Sequence, residues 1–499
     1  MTHLPAADTA REEPGRLLTP GRHPPYCRPT RNPDSEAHES TKRRPAARPV
    51  SAPEDPRAAF IEAAVGQGTL AGAEAILAAH PEIRACDVHT AAILGDDVAV
   101  RRFLAEDARS ATGTAGPLGW DALTHLCFSR YLRLDRDRGD AFVRAARALL
   151  DAGASAATGY FEDEHTPPSW ESALYGAAGV AHHAELARLL LERGADPNDD
   201  ETVYHAPETH DNAVVRVLVA SERLSPGSLA TMLARKVDWH DEDGVRFLLD
   251  HGADPNRVTS WGFTALHQAA RRDNALPIFE RMLDHGADPG IPDRRLRRGL
   301  EPSGQSATAV AARRGRGDVL SLLERRRGPL ELPGALRLIA ACARNDAALV
   351  RAMAESDPDL VAAVRAEGGQ RLAEFAGVGN TEGVRLLLDL GVDPGAAYHE
   401  DDGYWQIGRD STALHVAAWR ARHATVRLLL ERGAPVDARD GLGRTPLVLA
   451  VRACVDSHWV LLRSPESVRA LLAAGASTSG VAYPCGYAEV DELIRTARG

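Results

Sequence analysis

The sequence lacks the marks of a membrane, secreted or redox-active protein. No run of about 18 apolar residues occurs, so no transmembrane helix is predicted. The opening residues, MTHLPAADTAREEPGR, lack the basic-then-apolar order of a signal peptide. Six cysteines are scattered, none within four residues of another, which excludes a CxxC pair. We therefore expect a cytoplasmic protein with free thiols and no cofactor.

Lysine is nearly absent, because Lys42 and Lys236 are the two lysines among 59 basic residues. The net charge of −11 predicts no global attraction to nucleic acid or to membranes. Residues 290–327 are the exception, since ten arginines face four carboxylates there. This segment is an alternative binding site for nucleic acid or an acidic partner. It has no aromatic residue for base stacking, so a solvated basic loop is favoured and nucleic acid is not expected.

Sequence motifs for catalysis are also lacking. There is no phosphate loop, GxSxG elbow or HExxH motif. Acidic runs at 162–165, 199–201, 240–243 and 399–402, three of them with a histidine, raise the alternative of a metal-dependent site. None matches a known calcium loop, and adjacent acids on an extended segment point to opposite sides. Solvated acidic loops are therefore favoured, and no metal site is predicted.

A repeated phrase dominates what is present. The sequence LLERGADPN at 190–198 returns in variant form at 248–256, 282–290, 387–395 and 429–437, with shorter copies at 149–155 and 471–477. Its glycine stands where a helix end needs a left-handed residue, which glycine adopts without strain. In the five longer copies these glycines are Gly194, Gly252, Gly286, Gly391 and Gly433. A helix end that recurs in this way indicates a solenoid of stacked repeats.

Residues 411–441 show one full unit. Residues 412–418, TALHVAA, open a short helix with small residues on one side. Val426, Leu429 and Leu430 give the i, i+3, i+4 stripe of a second helix. Pro435 stops that helix, and the next start, Thr445, follows 33 residues after Thr412.

This unit resembles the ankyrin repeat, and residues 264–270 (TALHQAA) are a nearly complete second copy of its opening motif. About twelve units fit between Pro56 and Gly480. The resemblance implies an all-α solenoid of helix-turn-helix units with β-turn fingers. It also implies a structural role for the motif pairs, in which side chains bond backbone groups of their own and neighbouring loops. These pairs are Thr264 with His267 and Thr412 with His415.

Departures from the repeat predict the domain organisation. Residues 1–55 lack apolar periodicity and are predicted to be a disordered tail. The phrase is lost near 80–83 and 357–360, which predicts two arrays, 56–328 and 334–480. The remainder, 481–499, is predicted to form a capping helix. Insertions at 131–141, 156–169, 291–304 and 396–410 are expected to be loops on one edge, where solenoids often bind partners.

Repeats over 56–480 leave little room for a catalytic domain, so we predict no enzyme. Several tryptophans lie just before a repeat start, in finger positions. Exposed aromatic residues on loops either pack on a neighbouring finger or anchor a partner, and both alternatives are open. We predict a monomeric scaffold that binds another protein on its concave finger and helix surface, with no small-molecule substrate. The predicted anchors are Trp170, Tyr204, Trp261, Phe263, Tyr404 and Trp405.

Overall fold

A computed structural model describes most of the chain after the N-terminal segment. The described residues are 55–162, 168–294, 296–297, 301–302, 304–400, 402–457 and 463–499. The predicted disordered tail therefore lies outside the described residues, apart from Asp55, whose side chain accepts bonds from the first backbone N–H groups of α1 (Pro56–Ala64). The described residues are predominantly helical, with little strand.

Twelve successive helix pairs follow one another in the described residues. The first helices of the pairs are α1 (Pro56–Ala64), α3 (Val88–Leu94), α5 (Ala122–Cys127), α8 (Ala173–Tyr175), α10 (Asp200–His205), α12 (Pro226–Asp238), α14 (Ala265–Arg271), α16 (Ala307–Arg313), α18 (Ala335–Ala343), α21 (Gly368–Val378), α23 (Ala413–Trp419) and α25 (Pro446–Val455). The second helices are α2 (Ala71–Ala79), α4 (Asp97–Glu106), α7 (Gly139–Asp151), α9 (Ala184–Glu192), α11 (Ala213–Ala220), α13 (Glu242–Asp250), α15 (Leu276–Asp284), α17 (Gly317–Arg327), α19 (Ala347–Ser356), α22 (Thr381–Asp389), α24 (His423–Glu431) and α26 (Glu466–Ala473). Three helices lie outside the pairs, namely α6 (Arg130–Leu134), α20 (Pro358–Ala366) and α27 (Ala488–Arg498).

Helix α13 shows how the sequence builds one layer. The Asp241 side chain accepts a bond from the Gly244 N–H and so satisfies one of the free N–H groups at the helix start. Leu248 and Leu249 are buried on its inner face, which stabilises the fold by about 1.5–3 kcal/mol for each side chain. Gly252 then takes a φ of +90° and ends the turn.

The repeated-phrase glycines share this left-handed backbone. They are Gly194, Gly252, Gly286, Gly391 and Gly433, with φ between +81° and +99°. Each lies just beyond a second helix, so the local sequence sets where that helix stops.

Within each unit most helices pack on the helix of the same kind in the next repeat. Helix α12 lies between α10 and α14, and α9 lies between α7 and α11, whereas α18 packs on α20 and α22. Most repeats of a unit therefore form two layers, one of first helices and one of second helices, with the apolar core between them.

Four fingers carry two-stranded antiparallel hairpins, each just before a first helix. The strands are β1 (Thr114–Ala115) with β2 (Trp120–Asp121), β3 (Gly159–Glu162) with β4 (Ser169–Ser172), β5 (Leu296–Arg297) with β6 (Glu301–Pro302), and β7 (Ala397–Tyr398) with β8 (Ser411–Thr412). Three of these hairpins overlap the insertions predicted at 156–169, 291–304 and 396–410, although β4 and β8 extend beyond the predicted ends.

The insertion at 131–141 is not a finger loop. It lies between the two helices of its repeat and contains most of α6 and a short 3-10 helix, Arg136–Arg138. The Tyr131 hydroxyl donates to Glu74 at 2.6 Å, and the Arg138 guanidinium donates to the Leu94 carbonyl oxygen at 3.3 Å. These bonds hold the insertion against earlier repeats, so the expectation of an edge loop is corrected here.

The described residues form two compact units, which divide between Val392 and Asp393. The sequence predicted two arrays joined near 328–334, with the second able to stack directly on the first, and helices on both sides of that segment pack on each other within the first unit. The Arg344 guanidinium, for example, donates to Glu324 at 2.7 Å. The two predicted arrays stay a prediction about repeat similarity. In the second unit α27 packs on α26 through Val490 and Ile494, which are fully buried.

Candidate functional site

The six predicted anchors differ in exposure. Trp170 is the most open of them, with 38% of its surface exposed. The half-buried anchors are Tyr204, Trp261 and Tyr404, and the buried ones are Phe263 and Trp405. The set also divides between the two units, because Tyr404 and Trp405 belong to the second.

The hairpin β3–β4 has two chemically different faces. On one face Phe161 and Trp170 stand directly opposite each other, with ring centroids 4.8 Å apart. Phe161 is 62% exposed, so this pair is an open apolar patch. Gly159 lies beneath the tryptophan, and a Cβ there would meet the Glu171 carbonyl oxygen at 2.3 Å. Glycine is therefore required for the two strands and the ring to pack this closely.

The other face of the hairpin carries Tyr160 and Glu171, again directly opposite each other. Tyr160 stacks on Trp120 of the preceding finger, with ring centroids 4.1 Å apart. Its ring also meets the edge of Phe128, just after α5, at 5.2 Å. This face is thus turned toward the first helices of the neighbouring repeats.

Ring contacts continue from this hairpin along the first unit. Phe128 meets Tyr175 at 5.7 Å, and Tyr175 meets His205 at 5.3 Å. Tyr204, beside His205, meets Trp261 at 5.5 Å. We call the whole set the aromatic row: Trp120, Phe128, Tyr160, Tyr175, Tyr204, His205, Trp261 and Phe263. It lies on fingers and first helices, which is where the sequence predicted a binding surface.

We call Tyr204, Trp261 and Phe263 the far half of the row, and there arginines neutralise the neighbouring carboxylates. The Arg235 guanidinium lies 4.0 Å from the centre of the Tyr204 ring and bonds both Glu208 and Asp238. Burial lowers the pKa of Arg235, but Asp238, Tyr204 and Glu208 outweigh that effect and raise it above its ordinary value. Arg272 donates to the same Asp238 at 2.8 Å. Rings and carboxylates are therefore both satisfied here by cations of the chain itself.

We call Trp120, Phe128, Tyr160 and Tyr175 the near half of the row, and in the described residues the carboxylates beside it have no arginine partner. We call Glu162, Glu171 and Glu201 the glutamate trio. Glu171 is 7% exposed and accepts one bond, from Ser169 Oγ at 2.7 Å. Burial raises the pKa of the Glu171 carboxyl, and Glu201 and Glu162 raise it further. No arginine or lysine among the described residues pairs with the trio, and 163–167 contain neither residue type.

His205 lies between the two halves of the row. Its Nε2 is 3.2 Å from Glu201, and its Nδ1 is 2.9 Å from Glu208. Burial lowers the pKa of the imidazole, but the bonds to the two glutamates outweigh it and raise the pKa to about 9. His205 is therefore a cation at neutral pH, and Glu201 shares it with Glu208.

The finger of the second unit folds back onto its own first helix. Trp405 is 8% exposed, and its carbonyl oxygen accepts a bond from Trp419 Nε1 at 2.7 Å. Arg420 covers the Trp405 ring at 3.9 Å, and Tyr404 packs against the same cluster. Packing within the fold therefore explains why Trp405 is buried, whereas part of the Tyr404 side chain is still exposed.

The motif histidines join neighbouring fingers. His267 Nδ1 accepts a bond from the Thr264 N–H at 3.3 Å, while Nε2 lies 2.9 Å from the Gln305 carbonyl oxygen. His415 repeats the arrangement, with Thr412 and the Arg444 carbonyl oxygen. Because Nδ1 accepts and Nε2 donates, these rings are neutral, and burial lowers the pKa of each.

The arginine-rich segment does not form one free basic surface in the described residues. Arg314 makes a two-point contact with Asp273 at 2.9 Å, and Arg313 pairs with Glu367. Arg326 and Arg316 pair with aspartates, and Arg327 donates to the Ala287 carbonyl oxygen. Residues 295 and 298 of the predicted basic loop lie outside the described residues.

Potential metal ligands are dispersed over the described residues. Among these residues, no group of three or more His, Cys, Asp or Glu side chains is placed to hold a metal ion. The acidic run at 162–165 falls largely outside the described residues. His399 of the run at 399–402 is 2.9 Å from Asp410.

Among the helices of the described residues, none is both long and apolar enough to cross a membrane.

Sequence reasoning missed several residues of this surface. Tyr175 and the glutamate trio join it through contacts between repeats, and Arg235 reaches Tyr204 from the next first helix. The alternation of side chains along 159–162 and 169–172 is a signal that would have separated Phe161 and Trp170 from Tyr160 and Glu171.

Comparisons with known families identify repeats of one kind in two parts of the chain. A family model described as "Ankyrin repeats (many copies)" matches residues 248–296, and one described as "Ankyrin repeats (3 copies)" matches 338–440 and 376–479. The chain is an ankyrin repeat protein. Ankyrin repeats are generally protein–protein interaction modules and are typically non-catalytic.

Similar proteins include serine/threonine-protein kinase 12 of Arabidopsis thaliana, 42% identical over 17% of each chain. Protein PhlB of Serratia liquefaciens is 33% identical over 32% of this chain and 66% of its own. The human ASB11 ankyrin repeat domain, a solved structure, is 18% identical over 54% of this chain and 97% of that chain, with a TM-score of 0.26. The chain spans less than a quarter of the length of the first curated relatives it matches.

Proposed function

We propose that this ankyrin repeat protein is a non-catalytic scaffold that binds another protein on the concave surface formed by its fingers and first helices. In the first unit the proposed contacts are Tyr204 and Trp261 of the aromatic row, with Phe263 packed against Trp261. Trp170 is a further proposed contact, on the other face of the hairpin β3–β4. In the second unit Tyr404 is the proposed contact and Trp405 supports it. The cytoplasmic location and the monomeric state expected from the sequence stay predictions.

The observation that carries the proposal is the aromatic row. Its rings lie on fingers and first helices of one unit, and six of its eight members are half-buried, so part of each is open to solvent. Partly buried aromatic side chains offer large contact areas at a low cost in conformational entropy. A row of them along a rigid stack therefore suits the recognition of an extended partner segment.

The test compares two variants in the same native lysate. We expect Tyr204→Ala/Trp261→Ala to reduce recovery of the partner by at least tenfold, because tenfold corresponds to about 1.4 kcal/mol and one interface anchor contributes about 2 kcal/mol or more. Partners are captured on the immobilised full chain and quantified by mass spectrometry. The matched control is Trp239→Ala, since Trp239 is also half-buried but follows the end of α12 that is remote from the finger.

Thermal unfolding of each variant shows that the fold persists. Undiminished recovery by the folded Tyr204→Ala/Trp261→Ala variant would rule out the aromatic row as the binding surface. Equal loss in the Trp239→Ala variant would place the binding surface elsewhere on the chain.

A further inference from the structure

The protein uses one arrangement of ring, carboxylate and guanidinium several times. Arg235 covers Tyr204 and bonds Glu208 and Asp238. Arg271 lies 5.0 Å from the centre of the Phe263 ring and donates to Asp293 at 2.7 Å. In both places an aromatic face and a buried or partly buried carboxylate surround an arginine of the chain.

In the part of the chain that the structure describes, the near half of the aromatic row has the ring and the carboxylates of this arrangement but no arginine. Tyr160 lies directly opposite Glu171 in the hairpin, and Glu162 is two residues further along the same strand, on the same face. Tyr175 meets the ring of His205 at 5.3 Å, and Nε2 of that histidine is 3.2 Å from Glu201. Across the described residues, the one cation that touches the trio is His205, on Glu201, and its other nitrogen faces Glu208.

Such a group of carboxylates is unfavourable for folding alone. Like charges repel, and a carboxylate that is 7% exposed has lost most of its hydration. Glu171 accepts one hydrogen bond, from Ser169, which replaces only part of that hydration. A glutamine would keep the shape and the hydrogen bond without the repulsion, so the charge needs an explanation other than the stability of the free protein.

We infer that this place receives an arginine side chain of the bound partner. A guanidinium is planar, so it can lie on a tyrosine ring while its N–H groups donate to two carboxylates. Arg235 does this one repeat further on, within the same chain. The inference rests on the proposed function, and it adds the chemistry of the partner: an extended segment with an arginine opposite the hairpin β3–β4.

The experiment selects ligands from random sequences, so the natural partner need not be identified first. Random short peptides displayed on phage are selected on the immobilised full chain, and the recovered peptides are measured by fluorescence polarisation. Each peptide is also made with its arginine replaced by citrulline, which keeps the shape but has no charge, and by lysine. The protein variant is Glu171→Gln/Glu201→Gln. Its matched control is Glu185→Gln/Glu192→Gln on α9, where both glutamates are exposed.

We expect the recovered peptides to share an arginine. Citrulline at that position, or Glu171→Gln/Glu201→Gln in the protein, should weaken binding about tenfold or more, because the first change leaves the carboxylates without the arginine and the second leaves the arginine without two of its carboxylates. Lysine should bind less tightly than arginine, and the α9 variant should bind as the unchanged protein does. The single substitution Glu171→Gln should not lower the melting temperature, since it removes repulsion within the trio.

Three results would overturn the inference. Peptides that lack arginine, or that bind equally to Glu171→Gln/Glu201→Gln, but lose affinity in Tyr204→Ala/Trp261→Ala would leave the proposed function standing and remove this inference alone. Lysine or methylated lysine bound more tightly than arginine would assign the place to another cation. Failure to recover any peptide that depends on the row or on the trio would count against both proposals.

Discussion

At the scale of single residues, the histidines show how the surroundings decide the role of one side chain. His267 and His415 are buried against backbone carbonyl oxygens and are neutral, whereas His205 lies between two glutamates and is charged. The neutral pair joins fingers, a role that the repeat motif predicted. No sequence motif predicts the charge on His205, because Glu201 and Glu208 reach its ring only once α10 and the turn after it have folded.

His205 should make the stability of the protein depend on pH in the alkaline range. Its pKa is raised to about 9 in the folded protein, against about 6.5 in an unfolded chain. A folded pKa above the unfolded one means that the stabilisation is complete below about pH 6.5 and is lost as the pH rises through about 9. We expect His205→Gln to lower the free energy of unfolding at pH 6, and the difference from the unchanged protein to shrink by pH 9.5, in urea titrations.

His251→Gln serves as the control for that measurement, since His251 is an exposed residue after α13. Its effect should be small and should not change between the two pH values. A His205→Gln effect that is the same at pH 6 and pH 9.5 would mean that His205 stabilises the fold by packing alone.

At the scale of elements, the sequence predicted the helices better than the fingers. Helix ends follow from local signals, such as the capping aspartate of α13 and the glycine after it, so they could be read from neighbouring residues. The fate of a finger aromatic depends on distant partners. Trp170 and Trp405 both precede a repeat start, yet Trp170 is exposed, while Trp405 is buried under Arg420. Nothing within a few residues of either tryptophan distinguishes them.

Trp405 should therefore act on stability. We expect Trp405→Ala to lower the free energy of unfolding by about 3 kcal/mol, because it removes a buried ring and leaves a cavity beside Trp419. Urea unfolding followed by circular dichroism measures it. Leu442→Ala, at a position of the second unit that is 70% exposed, should change the value by less than about 0.5 kcal/mol. A Trp405→Ala variant of unchanged stability that loses the partner would instead make Trp405 a direct anchor.

At the scale of the whole molecule, a repeat stack is stabilised by contacts between neighbours, so its last repeat has an apolar face that needs a cover. In the second unit α26 buries Val468 and Leu471, and α27 packs on α26 with Val490 and Ile494. Asp491 fixes the approach to this helix, since its carboxylate accepts a bond from the Cys485 N–H at 2.7 Å. These contacts suit the capping role that the sequence predicted for 481–499, which stays a prediction.

Weakening this cap should destabilise the second unit without touching the proposed binding surface of the first. We expect Val490→Ala/Ile494→Ala to lower the free energy of unfolding by about 2–4 kcal/mol, because two fully buried side chains lose their packing. It should also increase the binding of a hydrophobic dye, since the face of α26 becomes accessible. Glu489→Ala, at an exposed position of the same helix, is the control and should leave both readouts unchanged. Dye binding and stability that stay the same in the double variant would show that the stack does not need α27 as its cover.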